Sequence, residues 1–180
     1  AARGLDTGLS SGYGILPVIV GDSALALKLS ERLFARGINV APVTFPGVPM
    51  QSARLRFFLS AGHETAEIDR ALDTLRGELD ALAAFEMLGS KYPVVSIAKG
   101  AAGAVKDIKQ NLEWLEGFEN VVLCFDNDSA GREAAEKCAQ VLSPNKAKIV
   151  SLTEFKDASD YLMHNKVRAF VGEWWEAKSY

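Results

Sequence analysis

Two carboxylates separated by one residue, Asp126 and Asp128 in the run VVLCFDNDSAGREAA, are the groups in this chain best placed to do chemistry. They follow an apolar, β-branched run and immediately precede a helix-forming one. Strand alternation puts Phe125 and Asn127 on one side and both aspartates on the other, so two negative charges converge at the carboxyl end of a strand. Paired carboxylates of this kind suit a hard divalent cation such as Mg²⁺ or Mn²⁺, and such ions usually serve phosphate chemistry. The same pair also suits a plainer role, a solvated strand end that caps the next helix.

The remaining polar candidates carry less. The glycine-bearing run Ser96 to Gly103 lies between a strand and a helix, where backbone amides can meet a phosphate with Lys99 nearby, but it has neither the dinucleotide nor the P-loop spacing. Lys99, Lys106 and Lys109 read as the solvated face of a helix rather than a nucleic-acid patch. Gly131 and Arg132 fall in the first turn after the aspartates, where Arg132 is placed to damp their charge. His63 and His164 accompany no nucleophile pattern and read as structural. Trp174 and Trp175 suit anchoring of a terminal helix better than base stacking.

The elements that position these residues follow from apolar periodicity. Ile15 to Val20 predicts a strand that enters a helix at the N-cap Asp22; Leu25, Leu29 and Leu33 form that helix's stripe and Gly37 ends it. Ile38 to Thr44 and Leu55 to Leu59 predict two more strands around a turn-rich loop from Pro46 to Pro49. Ile68, Leu72, Leu75, Leu79 and Leu82 recur at spacings of four and three. They predict one unbroken helix from Thr65 to Leu88, on the order of 35 Å long, ended by Gly89. Gly77 inside it costs about 1 kcal/mol relative to alanine, which the stripe on both sides offsets. Beyond it strand and helix alternate: Val94 to Ile97, a helix after Gly103, Val121 to Phe125, a helix from Ser129, Lys148 to Leu152, then short helices from Ala158 and Lys166. This is a parallel α/β pattern.

With 180 residues, 48% hydrophobic and 24% charged, the chain has an ordinary globular composition, sufficient for one domain or two small ones. A net charge of −3 offers no general attraction for nucleic acid. Cys124 and Cys138 read as core or near-core thiols of a reduced compartment, and the apolar runs are too short for a bilayer. A cytoplasmic location without membrane partners is therefore expected.

Three runs, GELDALAAFEMLGSKYPVVSIAKGA, QNLEWLEGFENVVLCFDNDSAGREAA and KAKIVSLTEFKDASDYL, together make the stretch from Gly77 to Tyr180 resemble the Toprim domain of bacteriophage primase-helicases, a metal-dependent nucleotidyl-transfer fold. The resemblance implies that Asp126 and Asp128 are the metal pair, that Asp80 is the aspartate of the first acidic motif, and that Asp157 and Asp160 are the acidic cluster after the last strand. It also makes Lys99 a candidate phosphate contact. In that family the first motif reads Glu-Gly-x-x-Asp, whereas this frame reads Arg76, Gly77, Glu78, Leu79, Asp80. The family's glutamate has become Arg76.

Upstream, the runs LDTGLSSGYGILPVIVGDSALALKLSERLFARGINVAPVTFPGVP and ARLRFFLSAGHETAEIDRALDTL resemble the C-terminal domain of the α-oxoamine synthases, enzymes that use pyridoxal phosphate. The resemblance implies that Arg56 is a vestige of the substrate-carboxylate contact and that the cofactor lysine belongs to a domain these residues do not include. Pyridoxal phosphate is accordingly not expected as a ligand.

The expected architecture is α/β: a ferredoxin-like α+β segment over residues 1–76, joined through a long shared helix to a truncated Toprim-like parallel segment over 77–180. Two partial enzymes meeting near Arg76 read as an engineered or recombined chimera without an intact ancestral active site; the alternatives are a residual Toprim-type binder of a divalent metal or nucleotide and a detached substrate lobe of a pyridoxal-phosphate-dependent acyltransferase. Weak binding of Mg²⁺ or Mn²⁺ is the cofactor expectation. The Toprim strand missing ahead of Gly77 is normally interior to its sheet, so the gap needs another strand or a second molecule, and Arg54 to Ser60 is the local candidate.

Overall fold

The structure is a computed structural model and describes residues 5–97 and 100–180. It divides into two compact units, Ala1–Glu78 and Leu79–Tyr180. Both mix helix and strand, which makes the chain α/β in class.

The first unit runs β1 (Ile15–Gly21), α1 (Ser23–Ala35), β2 (Ala41–Val43), β3 (Ala53–Phe58) and the opening turns of α2 (Thr65–Met87). Asp22 caps α1 as predicted, its side chain accepting from Leu25 N at 2.8 Å. Gly37 ends the turn at φ +79°, a conformation that suits glycine. The sheet is antiparallel in the order β1-β3-β2. Alternation along β3 buries Ala53 and Leu55, and the core they join includes Val18, Ala26, Leu29, Leu33 and Leu75.

The expectation that Arg54 to Ser60 replaces a missing strand is corrected: β3 belongs to the sheet β1-β3-β2, with Arg54 to Arg56 paired on both sides, and among the described residues it pairs with no strand of the other sheet.

The helix α2 is continuous through Arg76, Gly77 and Glu78, and ends one residue short of the expected Leu88. Gly89 stops it at φ +69°, with Gly89 N donating to Glu86 O and Ser90 N to Phe85 O.

The second unit contains the end of α2, then α3 (Gly100–Gln110), α4 (Leu112–Glu116), β4 (Val121–Leu123), α5 (Ser129–Ala139), β5 (Ala147–Ile149), α6 (Ala158–Met163), α7 (Val167–Trp175) and β6 (Lys178–Ser179). Its sheet pairs β4 with β5 in parallel and β5 with β6 antiparallel, so it is mixed rather than wholly parallel. Val121, Leu123 and Ala147 pack with Ala104, Ile108, Ala134 and Cys138 from α3 and α5. A second cluster joins Val150 and Leu152 to Ala83, Ala84 and Met87 of α2, with Tyr161 of α6 and Phe170 of α7, and Val122 packs against it. The sheet is therefore covered on both faces, as parallel strands require.

The segment Val94 to Ile97 is not a strand. Val94 packs against one cluster and Ile97 against the other, which is the alternation of an extended chain, but a strand needs a ladder partner as well as a pattern. Among the described residues no strand pairs with the outer edge of β4.

Candidate functional site

The loop from Cys124 to Asp128 carries the acidic pair. The strand ends at Leu123, two residues earlier than predicted; Cys124 has accessible surface although burial, with Asp80 and Asp126 nearby, pushes its thiol up to about 12, while Cys138 is buried as expected. The aspartates are thus set by a turn and not by strand alternation. Asn127 N donates to Lys156 O at 2.7 Å and Asp128 N to Asp126 O at 2.8 Å, folding the loop against the segment that leads into α6.

Asp128 does what the plainer reading proposed. It is the N-cap of α5, with Oδ1 accepting from Gly131 N at 2.8 Å. That bond, aided by the nearby Lys156 ammonium, holds its carboxyl below the usual range against the cost of partial burial. Gly131 is what lets the helix start so close to the loop: a Cβ there would stand 2.1 Å from Asp126 O.

Both aspartates converge on one cation, which belongs to the protein. Lys156 Nζ lies 3.2 Å from Asp126 Oδ2 and 3.5 Å from Asp128 Oδ2. Sequence reasoning gave the damping of this charge to Arg132. The structure instead turns Arg132 onto Asn127 Oδ1 at 3.0 Å, and Lys156, which no local pattern marked, takes that role. Two carboxylates drawn to one positive charge are the hard oxygen donors a divalent ion takes, so Asp126 and Asp128 would be the residues to hold one.

Asp80 lies on α2 with Oδ1 accepting from Ser159 N at 3.1 Å. Burial and the neighbouring Asp157 raise its carboxyl to about 7; the Ser159 bond opposes the shift and Asp126 adds to it. Asp157 is buried and caps α6, its Oδ1 accepting from Asp160 N and Ser159 Oγ, both at 2.9 Å. Asp160 sits in the first turn of that helix. Asp80, Asp126 and Asp157 are thus electrostatically linked, but among the described residues no three His, Cys, Asp or Glu side chains are arranged to hold a metal ion.

Position 76 is a partly buried arginine. Glu78, two residues on, does not replace the family's glutamate, because its two oxygens are taken by Arg36 Nη2 at 2.7 Å and Arg32 Nη1 at 3.0 Å. Glu78 was not singled out in the sequence, since its partners lie more than forty residues away.

Arg56 is exposed on β3, in the first unit, its guanidinium 5.1 Å from the centroid of the Phe58 ring. Lys99 lies outside the described residues. Lys106 and Lys109 are exposed on α3. His63 Nδ1 is 3.0 Å from Ser60 N just ahead of α2, and His164 stacks on Phe155. Trp174 stacks obliquely on Tyr92, while Trp175 is mostly exposed.

Comparison with known proteins finds two unrelated sets of relatives. Residues 76–162 match the Toprim-like family. Over 101 residues the chain is 41% identical to the DNA helicase/primase of Enterobacteria phage T3, covering 56% of this chain and 18% of that protein. Over 61 residues it is 51% identical to the 8-amino-7-oxononanoate synthase of Nitrosococcus oceani, covering 34% of this chain and 16% of that enzyme. The chain therefore spans less than a fifth of the length of either relative.

Among solved structures, the primase fragment of the bacteriophage T7 primase-helicase matches with a TM-score of 0.50 at 38% identity, covering 53% of this chain and 40% of that one. A T7 lagging-strand polymerase complex containing primase domains matches with a TM-score of 0.54, also at 38% identity, over 58% of this chain and 53% of that one. The two resemblances read from the sequence are both found, and the second stretch is Toprim-like and similar to phage primases.

Proposed function

We propose that this chain is a recombined protein whose Toprim-like part keeps a weak divalent-cation site and performs no nucleotidyl transfer. One observation carries the reading: Asp126 and Asp128 converge on a single positive charge, while the neighbouring acid Asp80 is committed to Ser159 N and position 76 is an arginine. A guanidinium neither accepts a proton nor coordinates a cation, so the base or third ligand expected at that position is missing. When bound, a divalent ion would supply charge stabilisation to a phosphate. The chain's own contribution is to hold two carboxylates at the start of α5 and to shield them with Lys156.

The recombined origin is supported by two unrelated resemblances within one chain, one of which begins at residue 76. Among the described residues no strand pairs with the outer edge of β4, which supports a further element of the same reading, self-association that covers the edge. Pyridoxal phosphate is not expected to bind specifically, and a saturable aldimine absorbance lost on mutating one lysine would overturn that. The metal reading is tested by calorimetric titration with Mn²⁺ of the unmodified chain, of Asp126→Ala with Asp128→Ala, and of Arg76→Glu. Weak binding, loss and strengthening are expected in that order. Template-dependent primer synthesis by the unmodified chain would refute the proposal.

A further inference from the structure

We propose that Lys156 is a built-in competitor of the divalent ion, an ammonium that must leave Asp126 and Asp128 before a metal can bind them. The inference rests on the metal reading above and adds the group that sets the affinity of that site.

The geometry makes the two cations mutually exclusive. Lys156 Nζ approaches the Oδ2 atoms of both aspartates, at 3.2 and 3.5 Å, and Asp128 Oδ1 is already used by Gly131 N. A Mg²⁺ or Mn²⁺ ion ligated by those Oδ2 atoms at about 2.1 Å would lie on the path of the ammonium, and the two charges would repel.

The arrangement is anchored at the backbone. Asn127 N donates to Lys156 O at 2.7 Å, so the lysine's Cα moves with the acidic loop, and Asp157 immediately after it caps α6. The side chain itself is nearly half exposed on a flexible four-carbon stem, so solvent is the alternative surrounding for its ammonium. Each aspartate is itself more than a third exposed, so the competition is moderate in size.

Titration with Mn²⁺ alone tests this on the full chain, comparing the unmodified protein with Lys156→Met, Lys156→Gln and Lys156→Arg, each checked by thermal melting for an intact fold. Both neutral variants should bind roughly five- to tenfold more tightly, the size expected for removing one partly screened charge, and the arginine variant no more tightly than the unmodified chain. A second readout is independent of affinity. In protein carrying ¹³C-methylated lysines, the resonance that disappears in Lys156→Met should shift on addition of Mg²⁺, as the side chain leaves the aspartates.

Equal or weaker Mn²⁺ binding by folded Lys156→Met and Lys156→Gln, with measurable binding by the unmodified chain, overturns the competition and leaves the metal site standing. A Lys156 resonance that does not move while metal binds overturns it as well. No binding by any of the four proteins overturns both.

Discussion

Gly131 and Asp126 are in closer contact than any other residue type at 131 would allow: a Cβ built on Gly131 would sit 2.1 Å from Asp126 O, 3.0 Å from its carbonyl carbon and 3.1 Å from its nitrogen. The obstacle is backbone and cannot rotate away. Gly131→Ala should therefore force the loop off the start of α5 and destabilise the protein by about 3 kcal/mol, at the upper end for overpacking, as read from urea unfolding. Loss of the Asp128 cap should accompany it, and an alanine variant as stable as the parent would contradict the packing.

Glu78 is almost fully buried between Arg32 and Arg36, each about a third exposed. Removing both arginines takes two cations away from a buried carboxylate, whereas removing the carboxylate as well takes away the charge they served. Arg32→Met with Arg36→Met should cost about 3 kcal/mol, and adding Glu78→Met should recover a substantial part of it. Urea midpoints of the double and triple variants measure the difference, and no recovery would mean that the arginines act through their stems alone.

Asp80 gives the chain an unusual response to pH. Its folded carboxyl titrates near 7, above the ordinary value for an unfolded aspartate, so between those values the folded state binds more protons than the unfolded one. Its contribution to stability is complete below about pH 4 and is lost as pH rises through 7. The lowered carboxylates, Asp128, Glu116 and Glu133, act in the opposite sense and only in acid. The unmodified protein should lose stability from pH 5 to pH 8, and Asp80→Asn, whose amide oxygen can still accept from Ser159 N, should flatten that slope. Denaturation at four pH values decides it.

The helix α2 passes through residues 76 to 78 without a break. Amides of Gly77 and Glu78 should exchange as slowly as those of Leu75 and Leu82, and Gly77→Pro should cost about 3 kcal/mol or more by removing a hydrogen bond and clashing with the preceding turn. Fast exchange confined to residues 76–78 would show a linker in place of a helix.

Local signals were sufficient where a residue's partner is a near neighbour in the chain. The leucine stripe of α2, the caps Asp22 and Asp128 and the stop at Gly89 all act within about four residues, and each was readable from spacing. The acidic pair at 126 and 128 was legible for the same reason. Val94 to Ile97 failed as a strand because its apolar alternation is satisfied by the two cores while strand character depends on a ladder partner that spacing does not report.

What the sequence by itself determined is most of the larger elements, the position of the acidic pair, and a change of resemblance near residue 76, since these depend on residue type, period and order. What only the tertiary structure decided is which charge meets which: Lys156 over Asp126 and Asp128, Ser159 on Asp80, and Arg32 and Arg36 on Glu78, pairs separated by 28 to 79 positions. Electrostatic and hydrogen-bond partners act over a few ångströms of space whatever their separation along the chain, so the acidic loop's own cation could be identified only once the fold had brought the start of α6 against it.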